Sequence, residues 1–351
     1  MFAISAFQSL SYVLVGNLIF EIKGMLLAYW LILFTTSCFA NILGLNISAG
    51  LNSVTTIYIL VPLLLIPQII FCGVLVKYDK LHHSLTNYEY VPLIGNMMTS
   101  RWAYEALAVE QFKNNEFEKV FFEIEQKRST ADYLKNWLVP ELEGKLEELK
   151  QNYRDEADPE SIQADLQTLN TMLAEMGKLV PELQPYRPDH ADVETFSDPT
   201  AEAIKAYLKG VSNLTGRIFM SSNKEKDLIN NALIDHLGSV KAYSDFRNKY
   251  DNKSLSDLVR NRSVLDKVAE KDGRMIRKYE LAYMKPTSKI GRAHLYAPNK
   301  QLGRFEIDTL WYNVAAIWLY TLVFYLTLRT DLLRKAMNIS ERRKLTRKQA
   351  S

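Results

Sequence analysis

Arg101 and Glu105 stand four residues apart in Ser100-Arg101-Trp102-Ala103-Tyr104-Glu105-Ala106-Leu107, and at that spacing opposite charges meet on one helical face. Arg before Glu is the weaker order in an isolated helix, so tertiary contacts must set what the pair is worth. The chemistry it offers is electrostatic locking, not turnover. Little else in the chain assembles into a reactive set. His82 and His83 are neighbours, which point different ways on a helix, and no carboxylate or cysteine set completes a metal site around them. His190, His236 and His294 are isolated, and no Ser–His–Asp or paired-carboxylate arrangement stands out. No G-x-x-x-x-G-K-[ST] phosphate loop occurs, so this chain has no cradle for ATP. The sequence is read as no enzyme, with no catalytic, cofactor-binding or metal residues of its own.

The elements that must carry the pair are hydrophobic. Gly24–Val76 holds 53 residues without Asp, Glu, Lys or Arg. About 20 apolar residues cross the hydrocarbon of a bilayer, so the run predicts two crossings, over Met25–Ile47 and Val54–Val76. The break falls in the polar, turn-forming cluster Ser48-Ala49-Gly50-Leu51-Asn52-Ser53. Residues 1–20 are uncharged as well, and lack the basic start and cleavage site of a signal peptide; they are read as a further span. Leu310–Leu328 supplies the last one. On the helix Met25–Ile47 and its end, Ser37, Asn41, Gly44 and Ser48 share a face, beside the small-residue ladder Ala40, Gly44 and Ser48. Small residues let helices approach closely in lipid, and Asn and Ser can bond across the contact, so this face is expected to pack. Pro62 and Pro67 predict a kink in the helix from Val54.

Charge gives the layout a direction. From Arg329 to Ser351 the chain carries eight basic residues against Asp331 and Glu341, which places this tail in the cytoplasm. A basic tail can also serve nucleic acid, but beside a span it is read as a topology signal, with membrane lipids and no nucleic acid as partners. Four spans (three, then one) then put the polar block between them outside. Cys38 and Cys72 both fall inside spans, so the outer block holds itself by packing and not by disulfides. The expected fold is an all-α membrane protein: spans over 1–78, a re-entrant or interfacial segment over 79–112, a helical extracytoplasmic domain over 113–307, the last span over 308–330 and a basic tail over 331–351. A bacterial inner membrane fits this pattern.

Within that block two stripes follow helical spacing: Leu134, Leu138, Leu142, Leu146 and Leu149, then Ile162, Leu166, Leu169, Leu173, Met176 and Leu179. Asp158-Pro159 and Asp198-Pro199 are start signals, a cap followed by proline in the first turn. Val180–Pro188 reads as a Pro-rich linker. Further helices are expected over Glu225–Tyr250 and Ser254–Tyr283, and no strand alternation of any length is evident. In the re-entrant segment Val91–Met98 is too short to cross, and Ser100 is expected to cap the helix that follows.

Leu60–Phe112 resembles the permease of ABC-2 type ABC transporters, especially the G-subfamily-like exporters. Pro62 to Val76, with Pro67, Phe71 and Gly73, looks like the family's fifth span. Arg101, Trp102 and Glu105, followed by Glu110-Gln111-Phe112, look like its arginine–aromatic–glutamate helix. The resemblance covers about 1–112 and 305–335, and the large helical insertion is similar to Bacteroidetes-type relatives, as are Gly291–Pro298 and Asp308–Asn313. It implies an exporter permease working by alternating access, paired with a second permease half and with an ABC ATPase domain, in cis or in trans, that holds ATP and Mg2+. It also implies six spans, of which this chain supplies four, so Met1 is expected to be internal to a longer polypeptide or the start of a split gene. Two other classes are a mechanotransmission-type permease acting through its external domain, and a membrane-anchored helical scaffold.

Overall fold

A computed structural model describes residues 1–51, 53–82, 86, 89–155, 158–179, 196–332 and 334–335. His83, Asn52, His190, the Val180–Pro188 linker and the tail beyond Lys335 lie outside the described residues. The chain begins with helices α1 Phe2–Ile19, α2 Leu26–Gly50 and α3 Val54–Ile70, then a short α4 Leu93–Asn96 and α5 Thr99–Lys113. There follow α6 Phe122–Tyr133, a π-helical turn Leu134–Leu138, α7 Val139–Arg154, α8 Pro159–Leu179, α9 Asp198–Leu237, α10 Val240–Tyr250 and α11 Lys253–Arg260. Strands β1 Val268–Lys271, β2 Arg274–Arg277, β3 Asn299–Leu302 and β4 Phe305–Asp308 precede α12 Thr309–Arg329.

The chain is mostly helical, at 73%, but not all-α. β1 pairs with β2, and β3 with β4, each pair antiparallel. Their turns explain why period-two alternation missed them. Asp272 and Gly273 both take positive φ (52° and 69°), which is the Asp-Gly hairpin signature, and Gly303 takes φ 62° at the first of two loop positions. Strands four residues long are fixed by their turns more than by alternation. The helix expected over Ser254–Tyr283 is accordingly replaced by α11 and the β1–β2 hairpin. The expected Glu225–Tyr250 helix is instead the end of a 40-residue α9 joined to α10. The break is Gly238 at φ 82°, followed by Ser239, whose Oγ accepts from Ala242 N at 3.1 Å, a left-handed stop and then a cap.

By contacts the chain divides into two units, Met1–Glu116 with Lys285–Ser351, and Phe117–Met284. In the first, α12 packs on α2 and α5, and α1 packs on α2. Ile32, Phe39, Trp102, Ala106, Val314 and Ile317 form its core. Among the described residues three helices are long and apolar enough to span: α1, α2 and α12. α3 is apolar but has 17 residues, ending at Ile70 and not at Val76; at 1.5 Å per residue it reaches about 26 Å. The chain remains helical through both Pro62 and Pro67.

The second unit is built on the two leucine stripes. Leu134, Leu138, Leu142, Leu146 and Leu149 are buried against Leu166, Leu169, Leu173 and Met176, and α9 adds Ile204, Leu208 and Val211. Leu179, expected in the same stripe, is 40% exposed at the end of α8. Arg277 is buried here between the rings of Tyr133 and Tyr279, 5.0 and 4.9 Å from their centroids. Its Nε donates to Tyr279 O at 2.9 Å.

Candidate functional site

The Arg101–Glu105 pair lies in the core of the first unit. α5 begins at Thr99, with Met98 at the cap position and no side-chain cap. The expected capping role of Ser100 gives way to a tie with α3: Ser100 N donates to Gln68 Oε1 at 3.1 Å and Ser100 Oγ to Gln68 O at 2.5 Å. From that start, helical spacing turns Arg101, Trp102 and Glu105 inward, with Arg101 1% and Glu105 0% exposed. Phe112 is buried on the same helix.

Glu105 is fully satisfied. Its Oε1 accepts from Lys300 Nζ at 2.7 Å and from the Tyr296 backbone N–H at 3.2 Å. Its Oε2 accepts from Asn313 Nδ2 at 2.8 Å. Arg101 Nη1 stands 3.5 Å from Oε2, an ion pair longer than a hydrogen bond. The guanidinium carbon lies 4.0 Å from the centre of the Trp102 ring, within cation–π range. Among the described residues Arg101 Nε and Nη1 have no hydrogen-bond acceptor. Lys300, from β3, is 1% exposed and Asn313, from α12, is fully buried. Two cations and one carboxylate therefore share a sealed site whose formal charge is +1. Burial pushes the Lys300 ammonium down, to about 8, against the opposing pull of Glu105.

Three elements distant in sequence thus converge on one carboxylate: α5, the segment entering β3, and α12. The surrounding loops hold them there. Thr309 Oγ1 donates to Ala297 O at 2.5 Å, Val91 N to Ala293 O at 3.0 Å, and Tyr104 and Tyr296 share a 3.2 Å hydrogen bond between hydroxyls. Lys113 pairs with Asp308. Trp102 Nε1 donates to Asn96 O at 2.8 Å, and Tyr320 Oη to the same oxygen at 2.9 Å. A sealed carboxylate with every oxygen engaged holds elements together; it has no access to a substrate.

The other residues singled out by sequence divide into two groups. Gly73 is structural in an explicit sense. It takes φ 88°, and a Cβ there would lie 2.8 Å from Leu295 Cδ2 and 3.0 Å from Tyr78 Cε2. Tyr78 is buried, its Oη donating to Phe71 O at 2.8 Å, and it also fills the space above Gly95. The chain can turn back after α3 because both glycines leave room for this ring. Pro62 is exposed and Pro67 half-buried.

The polar face of α2 divides along its length. Ser37 and Asn41 are half-buried, and Asn41 Nδ2 donates to Ser5 Oγ of α1 at 2.6 Å. Gly44 and Ser48 are exposed, and nothing lies within 4 Å of a Cβ built on Gly44. The residue that joins α2 to α12 is Asn46, whose Nδ2 donates to Phe324 O at 2.8 Å and whose Oδ1 accepts from Thr327 Oγ1 at 2.9 Å. Asn41, on the expected face, thus bonds to α1, while Asn46, two residues before Ser48, bonds to α12. Lys300 had no such signal. Neither its neighbours nor its spacing mark it as a buried cation.

Residues 1–111 match the family model for the ABC-2 type transporter. The matched segment, α1 to α5, is thus similar to an ABC-2 type transporter domain. No curated protein matches the chain, and no solved structure does. The match and the apolar helices α1, α2 and α12 support a multi-pass membrane protein, and ABC-2 permease domains are not themselves catalytic. ABC-2 permease domains generally work with an ATPase partner and often dimerise. The match ends two residues before the end of α5, so Arg101 and Glu105 lie inside the ABC-2 segment while Lys300 and Asn313 lie outside it.

Proposed function

We propose that this chain is the permease part of an ATP-driven ABC exporter, and that the Glu105 cluster locks its re-entrant segment to its last span. The observation that carries the reading is the convergence of Lys300 and Asn313, from two other parts of the same unit, on Glu105, which lies inside the segment that matches the ABC-2 family. In this reading α3 counts as a fourth span, and residues 79–112 form the re-entrant passage whose helix caps the outer end. Unit Phe117–Met284 stands outside the membrane and the basic tail in the cytoplasm. A bacterial inner membrane is the proposed location. ATP and Mg2+ belong to an ATPase domain, in cis or in trans, and a second permease half completes the pathway.

Access alternates when nucleotide binding favours one of two packings of the pair. A ligand shifts such an equilibrium only by its differential affinity for the two states. The cluster supports that scheme by making α5, the β3 approach and α12 move as one piece: separating them leaves Lys300 without its carboxylate and Glu105 with Arg101 alone, a cost of several kcal/mol. The test is recovery of the native protein from its own membranes with an antibody against residues 196–284, in mild detergent. Vanadate-sensitive Mg-ATP hydrolysis in the recovered complex, with its coupling to the permease altered by Glu105→Gln, supports the proposal. A recovered protein that lacks nucleotide hydrolysis at any stage of solubilisation overturns it in favour of a membrane-anchored scaffold.

A further inference from the structure

The second unit contains a cleft that the transporter reading leaves unused. It lies wholly within Phe117–Met284, between the start of α6, the middle of α9, α10 and α11, and has a volume of about 460 Å³. Its floor is aromatic. Phe117 and Phe121 are buried, with their rings tilted at 46° and 5.1 Å apart between centroids, Tyr243 meets Phe117 edge-on at 5.9 Å, and Tyr283 is buried. Ten of its sixteen lining residues are charged, six cationic and four anionic, and with Glu280, which pairs with two of the cations, the excess is one positive charge.

Most of those charges are already matched. Glu125 pairs with both Arg128 and Lys226. Arg260 and Arg262 pair with Glu280, and Arg262 also with Asp257. Among the described residues Arg247 and Lys253 make no ion pair. Lys253 is also the first residue of α11, where a cation opposes the helix dipole. Its charge is therefore not placed for the stability of that helix. Glu118 and Asp251 line the cleft as well, but Arg247 and Lys253 are cations outside any described ion pair in a pocket lined by aromatic rings, a combination suited to a ligand with an anionic group and a flat apolar body.

We propose that this cleft binds a small organic anion, its anionic group held by Arg247 and Lys253 and its apolar part set on the ring floor of Phe117, Phe121 and Tyr243. The volume admits one such molecule and excludes a folded partner. The proposal does not depend on the transport reading. The ligand could be a free metabolite or the carboxylate end of a peptide carrying an aromatic last residue; both offer the same group.

The probe is N-acetyl-L-phenylalanine as its carboxylate, with its neutral amide as the control and glycyl-glycyl-phenylalanine as the peptide arm. Binding is followed by saturation-transfer NMR on the full chain in lipid nanodiscs, against empty nanodiscs. The expected result is a saturable signal for the carboxylate, at least tenfold weaker affinity for the amide, and at least tenfold loss with Arg247→Glu plus Lys253→Glu. The milder pair Arg247→Gln and Lys253→Gln, both at exposed positions, asks the same question without reversed charge and is expected to weaken binding in the same direction. Stronger binding of the tripeptide assigns the peptide source, and equal or weaker binding the free anion. Absence of a saturable signal for every probe, equal affinity for acid and amide, or binding unchanged by both double variants overturns the proposal.

Discussion

Glu105→Gln removes the only carboxylate of the buried cluster while keeping its shape. The attraction lost can be set out from the geometry. At an effective dielectric of about 20, a pair at the 2.7 Å of Lys300–Glu105 is worth about 6 kcal/mol and one at the 3.5 Å of Arg101–Glu105 about 5. Against this stands the relief of no longer burying the carboxylate, itself several kcal/mol. The buried charge rises from +1 to +2, and the expected net loss is about 3–5 kcal/mol, as for breaking one partner of a buried pair. Lys300→Met instead brings the cluster to zero, since Arg101 and Glu105 remain together and Asn313 and the Tyr296 N–H still serve the carboxylate. Its expected cost is about 1–2 kcal/mol, within the range for a hydrogen bond to a charged group. The double variant returns the buried charge to +1 and is expected to be more stable than Glu105→Gln alone by at least about 1 kcal/mol, a coupling of the size found for contacting residues. Unfolding by SDS in mixed micelles, followed by tryptophan fluorescence, reads the differences, with Trp102 against Arg101 as a local reporter. A loss under about 1 kcal/mol for Glu105→Gln, or a double variant as unstable as the sum of the singles, refutes a closed cluster organised by Glu105.

The same titration checks four further expectations. Gly95→Ala places a methyl 2.6 Å from Tyr78 Oη and is expected to cost about 1–3 kcal/mol; Tyr78→Phe in that background recovers part of it, and no recovery rules out the ring as the obstacle. Gly44→Leu meets open space and should leave unfolding of the single chain within about 0.5 kcal/mol; a larger loss means that α2 packs differently. Leu169→Ala empties the core of the second unit and should cost about 2–5 kcal/mol, read by near-ultraviolet circular dichroism. For Lys300 the pH sign follows from its pKa of about 8 in the folded chain against about 10.4 unfolded. Between those values the unfolded state holds more protons, so this residue makes stability rise with pH, and the stability of the native chain minus that of Lys300→Met should climb from about pH 8 to about pH 10; a flat or falling difference refutes a lowered pKa for Lys300, and means that the pull of Glu105 outweighs burial.

The two units differed in how much of them could be read from sequence. Helices organised by repeated contact with one core were plain: every leucine from Leu134 to Leu149 in the first stripe is buried, because a 3.6-residue period reports a continuous apolar face. Three of the four expected spans, α1, α2 and α12, were equally plain by length and lack of charge. The fourth, α3, ends six residues before the expected Val76, because Phe71–Val76 is as apolar as a helix while Gly73 must take φ 88° to admit Tyr78. The β1–β2 hairpin was signalled by Asp272-Gly273 and passed over because four-residue strands leave no periodicity to count. On α5, spacing placed Arg101 and Glu105 on one face and could go no further, since their worth depends on groups nearly two hundred residues away.

That separation is itself informative about how the first unit is built. Lys300 follows Glu105 by 195 residues, and the chain between them makes the whole of the second unit. The cluster therefore closes only when the chain has returned and laid Tyr296 and Lys300 against α5. An open α5 leaves Glu105 without its strongest partners, so the ABC-2 segment alone is electrostatically incomplete. This favours an insertion whose ends are tightly held: Lys113 at the end of α5 pairs with Asp308 at the start of α12, and Thr309 ties back to Ala297. With the two chain ends fixed in this way, loop-closure entropy rises only slowly with the length of what lies between. A large helical domain can then occupy the interval at little cost to the cluster, provided that the return segment preserves Lys300 and the geometry leading to it.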